Sequence, residues 1–180
     1  MRKFILGIIV GAAAVIGGVY VYFIYGLAPV ATSAAPLPFE KKLANGALHA
    51  RLKKEMPKDV PLPWDEANLV AGAKIYKENC AVCHGLPAQD QTPIAKGMFP
   101  KPPKLTEGVG VTDDPPQESF WKVQNGIRLS GMPGFESTLT SAQLWQVSLM
   151  LANANKLPDA AKQVLSTPIP PPPQMPPRNP

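Results

Sequence analysis

The sequence predicts an all-α chain, with one transmembrane helix followed by a small helical domain whose segments are joined by proline-rich loops. Three observations lead there. Residues 4–27 form a run without a single charged side chain, and about 20 apolar residues are enough to span a bilayer as a helix. Later apolar residues recur at helical rather than alternating spacing, first at Leu69, Gly72, Ala73 and Tyr76, then at Leu144, Trp145, Val147, Ser148, Leu149, Leu151 and Ala152. The 23 prolines among 180 residues divide the rest into turns and extended pieces, because proline lacks a backbone donor and clashes with the preceding helical turn.

Arg2 and Lys3 precede the apolar run, and Tyr20, Tyr22, Phe23 and Tyr25 gather at its far end, where aromatic rings favour the headgroup level. A signal peptide has a shorter apolar stretch and a small-residue cleavage site. The run is too long for the first, whereas Ala31-Thr32-Ser33-Ala34-Ala35 meets the second. A retained anchor over residues 1–27 is expected, with cleavage as the alternative. Gly7, Gly11 and Gly17-Gly18 make a small-residue surface on which a partner's membrane helix can pack; a plain lipid anchor accounts for them equally.

Residues 28–60 read as a spacer, extended through the three prolines of residues 28–38 and helical over residues 39–56. Phe39, Leu43, Leu48, Leu52 and Met56 lie near one stripe. Six basic groups against three acidic ones in residues 39–60 suit a helix lying on anionic lipid or an acidic partner, or a solvated spacer. Pro57, Pro61 and Pro63 end it.

A small helical domain is expected over residues 61–165. Asp65 is a natural N-cap for the next helix, and Glu66 suits its positive end. Gly72 is a poor residue for a helix interior, so a close crossing by another helix is expected there. The helix runs into Cys80-Ala81-Val82-Cys83-His84, which holds both cysteines of the chain. Two thiols three apart with a histidine directly after form the attachment pattern of a c-type haem. They can form thioethers to the two vinyl groups while the imidazole reaches the iron. A reactive dithiol needs no histidine and prefers a strand before it, and a zinc site needs further ligands where the chain offers only His49 and carboxylates. One covalent haem c is the expected cofactor, with Cys80, Cys83 and His84 binding it and His84 as an iron ligand. Haem attachment belongs outside the cytoplasm, so the domain is expected on the periplasmic side of a bacterial inner membrane with the N-terminus inside.

Residues 68–85, Asn-Leu-Val-Ala-Gly-Ala-Lys-Ile-Tyr-Lys-Glu-Asn-Cys-Ala-Val-Cys-His-Gly, resemble the first helix and attachment turn of the class I cytochrome c family. The resemblance continues through Pro102-Pro103-Lys104-Leu105, Asn125-Gly126-Ile127, Gly131-Met132-Pro133 and the helix around Trp145. It implies an all-α class I cytochrome c fold wrapped around one covalent haem, here preceded by a single transmembrane helix. In that family the first and last helices cross near a glycine and an aromatic, matched by Gly72 and Tyr76, with Trp145 as the packing partner. The family's distal ligand occupies a Gly-Met-Pro loop, matched by Met132, and a proline carbonyl orients the proximal histidine, matched by Pro103. Leu105 would pack on the haem.

The residues themselves also favour Met132 as the second iron ligand, since glycine and proline around it make a loop that can approach a ring closely. Met98, in Gly97-Met98-Phe99-Pro100, is the competitor, but it lies 14 positions after His84 and directly before a proline segment expected on the proximal side. Met56, Met150 and Met175 belong to the spacer, a helix face and the tail, and His49 precedes the domain.

A further helix is expected between residues 113 and 126, ended by Gly126, with Trp121 in the core rather than acting as an electron relay. Thr138 or Thr140 can cap the helix that follows. A short segment to Leu165 comes next, and the tail, residues 166–180, has eight prolines after Thr167, which favours an extended strap on another subunit or an unstructured end.

The net charge of +5 is confined to the N-terminal segments. Residues 61–156 carry eight basic and nine acidic groups, and no basic stripe with interleaved aromatics suits nucleic acid. The expected function is one-electron transfer by a membrane-anchored monohaem cytochrome, not an enzyme in itself. Its partners would be redox proteins in a respiratory or photosynthetic complex, and the lipid bilayer. A free-standing tethered shuttle is the alternative, followed by a haem enzyme or gas sensor in which Met132 leaves the iron.

Overall fold

The computed structural model describes residues 1–107 and 112–167. Every regular element among them is helical, and the chain divides into two compact units, Met1–Leu43 and Ala44–Pro180. The proline tail with Met175 lies outside the described residues.

In the first unit, helix α1 (Arg2–Ile24) has 23 residues and buries no side chain. At 1.5 Å per residue it is about 34 Å long, so it exceeds the roughly 30 Å hydrocarbon core. It is long and apolar enough to cross a membrane. Helix α2 (Glu40–Glu55) starts in this unit, where the Glu40 carboxylate accepts the Leu37 N–H at 2.8 Å.

The second unit takes in the rest of α2, including buried Leu52, and its central element is α3 (Glu66–Asn79). The Asp65 carboxylate caps α3 by accepting the Asn68 N–H at 2.8 Å. Leu69, Gly72, Ala73 and Tyr76 turn inwards, the stripe expected from their spacing, and Ile75 joins them. One turn, α4 (Ala81–His84), follows, and then the short α5 (Pro93–Gly97), capped by Thr92. Helix α6 (Pro116–Asn125) stops at Gly126, whose φ of 70° is open chiefly to glycine. Helix α7 (Ser141–Ala152) begins with a reciprocal capping box, in which Thr140 and Gln143 satisfy each other's backbone N–H groups. Thr140, not Thr138, is therefore the cap. Helix α8 (Asp159–Ser166) turns Ala161 and Leu165 inwards.

Helix α3 packs against α7 and α8, and α6 packs against α7. The crossing expected at Gly72 is present: a β-carbon there would run into the Gln146 carbonyl and come within 2.8 Å of the Met150 β-carbon. Two aromatic expectations need correction. The Gly72 side of α7 is Gln146 and Met150, whereas Trp145 stacks on Phe120 of α6 with ring centroids 4.1 Å apart. Residue 145 lies about 100° around the helix from residue 146, and its ring is taken up by the stack on Phe120. Trp121 is half-buried rather than core, because its indole N–H reaches Glu55 Oε2 at 3.3 Å.

Candidate functional site

Cys80 both ends α3 and begins the single turn α4. The Cys80 N–H donates to the Tyr76 carbonyl at 2.8 Å, and the Cys83 and His84 N–H groups donate to the Cys80 carbonyl at 3.1 and 2.9 Å. Positions three apart on such a turn share a face, so the local fold brings the two thiols together. Gly85, at φ 79°, ends the turn, and buried Tyr76 donates its hydroxyl to the Gly85 carbonyl at 2.7 Å. Burial pushes the Tyr76 phenol well above its ordinary range, with a further push from Cys80.

Cys80, Cys83 and His84 open onto a cavity of about 310 Å³, which Leu105 and Met132 also line together with Pro103. Its size is at the small end of the range for cofactor sites, roughly 300–1,000 Å³. The sequence-predicted site residues are thus all brought to one place. His84 Nδ1 lies 2.8 Å from the Pro103 carbonyl oxygen. A carbonyl can only accept, so Nδ1 carries the proton and Nε2 is the ring nitrogen left with a free lone pair. Burial lowers the His84 pKa, and the bond to Pro103 opposes that shift.

Met132 sits in the turn between α6 and α7. The Ile127 N–H donates to the Met132 carbonyl at 3.1 Å, the Met132 N–H donates to Ser130 Oγ at 3.2 Å, and the Phe135 N–H donates to the Val123 carbonyl at 2.9 Å. Met98 lines the same cavity, and a β-carbon built on Gly131 would fall on its methyl group. The proline segment therefore does not keep Met98 away from the Met132 loop, as its closeness in sequence to His84 had implied. His49 is exposed and is absent from the cavity wall, and Met150 is fully buried in the core.

Sequence reasoning missed a charged corner of the wall. Lys122 donates to Asp114 Oδ2 at 2.6 Å and pairs with Glu118 Oε1 at 2.8 Å. Burial works against its charge, but the two carboxylates outweigh burial and leave its pKa raised. The Glu118 pair follows from the i,i+4 spacing within α6; the place of Lys122 on the cavity wall does not. Asn45 and Leu48 of α2 also reach the wall; the apolar stripe through Leu48 and Leu52 was legible, but its destination was not.

The donor set fits a c-type haem: two free thiols, an imidazole with one nitrogen available, and methionine thioethers around an apolar cavity. Burial, together with Cys83, pushes the Cys80 thiol up to about 12, the opposite direction from the lowered value of a reactive thiol. Among the described residues no group of three or more His, Cys, Asp or Glu side chains is placed to hold a metal ion.

A segment of 96 residues is 31% identical to the quinohemoprotein alcohol dehydrogenase ADH-IIG of Pseudomonas putida; it is 53% of this chain but only 12% of that relative. Among solved structures, a reducing HAO-like protein complex of Kuenenia stuttgartiensis is 25% identical with a TM-score of 0.44, over 53% of this chain and 48% of that one. Residues 67–149, which hold Cys80, Cys83, His84, Pro103, Leu105 and Met132, match the family described as cytochrome c oxidase, cbb3-type, subunit III.

Proposed function

We infer that the protein is a membrane-anchored monohaem c-type cytochrome that transfers single electrons and is not an enzyme in itself. The observation that carries this reading is the meeting of Cys80, Cys83, His84 and Met132 on one cavity, with His84 Nδ1 turned to the Pro103 carbonyl. Cys80 and Cys83 hold the ring covalently through thioethers. His84 presents Nε2 to the iron, and the Pro103 carbonyl fixes its tautomer and raises its basicity. Met132 would offer its thioether as the second iron ligand, Leu105 would pack on the ring, and a thioether ligand favours a higher potential. Haem held by these residues would supply reversible one-electron exchange between ferric and ferrous iron, and with both His84 and Met132 given to the iron no place would remain there for a substrate.

The match to an oxidase subunit family and the apolar helix α1 support a place as a subunit of a respiratory or photosynthetic electron-transfer complex, ahead of a free-standing shuttle. The class I cytochrome c fold, the inner-membrane location with a periplasmic haem domain, and the redox-protein partners belong to the same reading.

The test is to produce the full chain in a host that attaches haem outside the cytoplasm and to weigh it intact after denaturing extraction. The expected mass is that of the chain plus one haem. Haem lost into acidified organic solvent, or any other added mass, overturns the assignment. Co-purification in mild detergent separates the two organisations: stable companion chains support the subunit, and an isolated cytochrome supports the shuttle.

A further inference from the structure

Helix α2 precedes the family match, which starts at residue 67, yet it supplies part of the cavity wall. Asn45, Leu48, Leu52 and Glu55 are spaced three, four and three apart, which puts them on one helical face. The four have separate tasks in the second unit: Asn45 and Leu48 line the cavity, Leu52 is buried, and Glu55 accepts the Trp121 indole N–H at 3.3 Å. One turn later, the Lys58 carbonyl accepts the Gln117 side-chain amide at 3.2 Å. Trp121 and Gln117 belong to α6, the helix that also sends Ser119, Lys122 and Val123 to the cavity. Lys53 and Lys54 are exposed.

We propose that α2 is a wall of the haem crevice, fastened to α6 through Glu55 and Lys58, and that Leu48 packs directly against the bound haem. The proposal rests on the haem assignment made above. Its consequence is electrostatic. The apolar shell around a metal site controls water access and local dielectric, hence potential. Ferric iron carries one more positive charge than ferrous iron, so water admitted at Leu48 favours the ferric state and lowers the reduction potential.

The experiment uses the full chain with its haem attached, in detergent. In the diamagnetic ferrous protein, the Leu48 methyl protons are expected to be displaced from the ordinary leucine range by the porphyrin ring current, their signals being identified by their loss in Leu48→Ala. Leu48→Gln is expected to shift the reduction potential to more negative values while leaving the methionine-to-iron charge-transfer band in place. Lys53→Gln, at an exposed position, is expected to change neither. Leu48 methyl signals at ordinary positions overturn the proposal, and so does a Leu48→Gln potential equal to that of the wild type. Either result leaves the haem assignment standing, because the intact mass still shows one covalent haem; a wild-type chain without that mass sinks both.

Discussion

The two regions that send ligand-type side chains into the cavity are built in different ways. The attachment segment is a continuation of α3, and its hydrogen bonds run between residues three or four apart, from Cys80 to Tyr76 and from His84 to Cys80. The Met132 loop has no helix of its own. It is held by Gly126, where a β-carbon would come within 2.5 Å of the Gly134 nitrogen, by the bond from Phe135 to Val123, and by the Met98 methyl against Gly131. Leu129, in the same loop, is a non-glycine residue at φ 61° and is almost fully exposed. The difference teaches that a site can combine one half that forms with its helix and another that exists only once distant segments have met.

The sharpest way to break this contrast is at the sulfur. Met132→Ala is expected to abolish the methionine-to-iron charge-transfer band of the ferric protein, lower the reduction potential and open the iron to small ligands, with the thioethers intact. Met98→Ala is expected to keep the band and lose packing against Gly131. Optical spectra of the two ferric variants decide it: a band that survives Met132→Ala and vanishes in Met98→Ala makes Met98 the ligand.

A smaller effect compares the supports of the two halves. Gly126→Ala places a β-carbon against the Pro133–Gly134 backbone at φ 70°, ψ −178°, a combination essentially confined to glycine, for which strain and overpacking are each worth roughly 1–3 kcal/mol. Tyr76→Phe leaves the Gly85 carbonyl without its buried partner, a loss of about 1–3 kcal/mol. Denaturant melts should rank Gly126→Ala as the more damaging, and only that variant should also weaken the charge-transfer band. Equal loss of the band in Tyr76→Phe would mean that the two halves are not independent.

The smallest effect concerns the surface behind Pro103. Glu107 accepts from Lys104 and from the Ala88 N–H at 2.9 Å, and these bonds lower its pKa, the Lys104 bond most. A depressed carboxyl contributes stability above its unfolded pKa and loses it as pH falls through the lower folded value. Acid titration of stability should therefore fall slightly more steeply below about pH 4 in the wild type than in Glu107→Gln. The pair is well exposed, so added salt should shrink the difference; an unchanged difference in high salt would count against this account.

The residue order by itself determined the parts of this protein that depend on near neighbours. An uncharged run of residues 4–27 leaves little but a helix able to cross a membrane, Asp65 caps α3, one of the two threonines Thr138 and Thr140 caps α7, and a Cys-x-x-Cys-His written onto the end of a helix brings its thiols together. Even the close crossing at Gly72 was legible, because a glycine inside a helix asks for a reason. The stack of Trp145 on Phe120 of α6 was not legible, since helical periodicity tells that a residue is inside but not which ring it meets there. Only the tertiary structure set Met98 beside the Met132 loop and turned Leu48 of an apparent spacer into the cavity wall. Those contacts join backbone segments from separate parts of the chain, and packing of whole helices, rather than any local preference, decides which side chains meet.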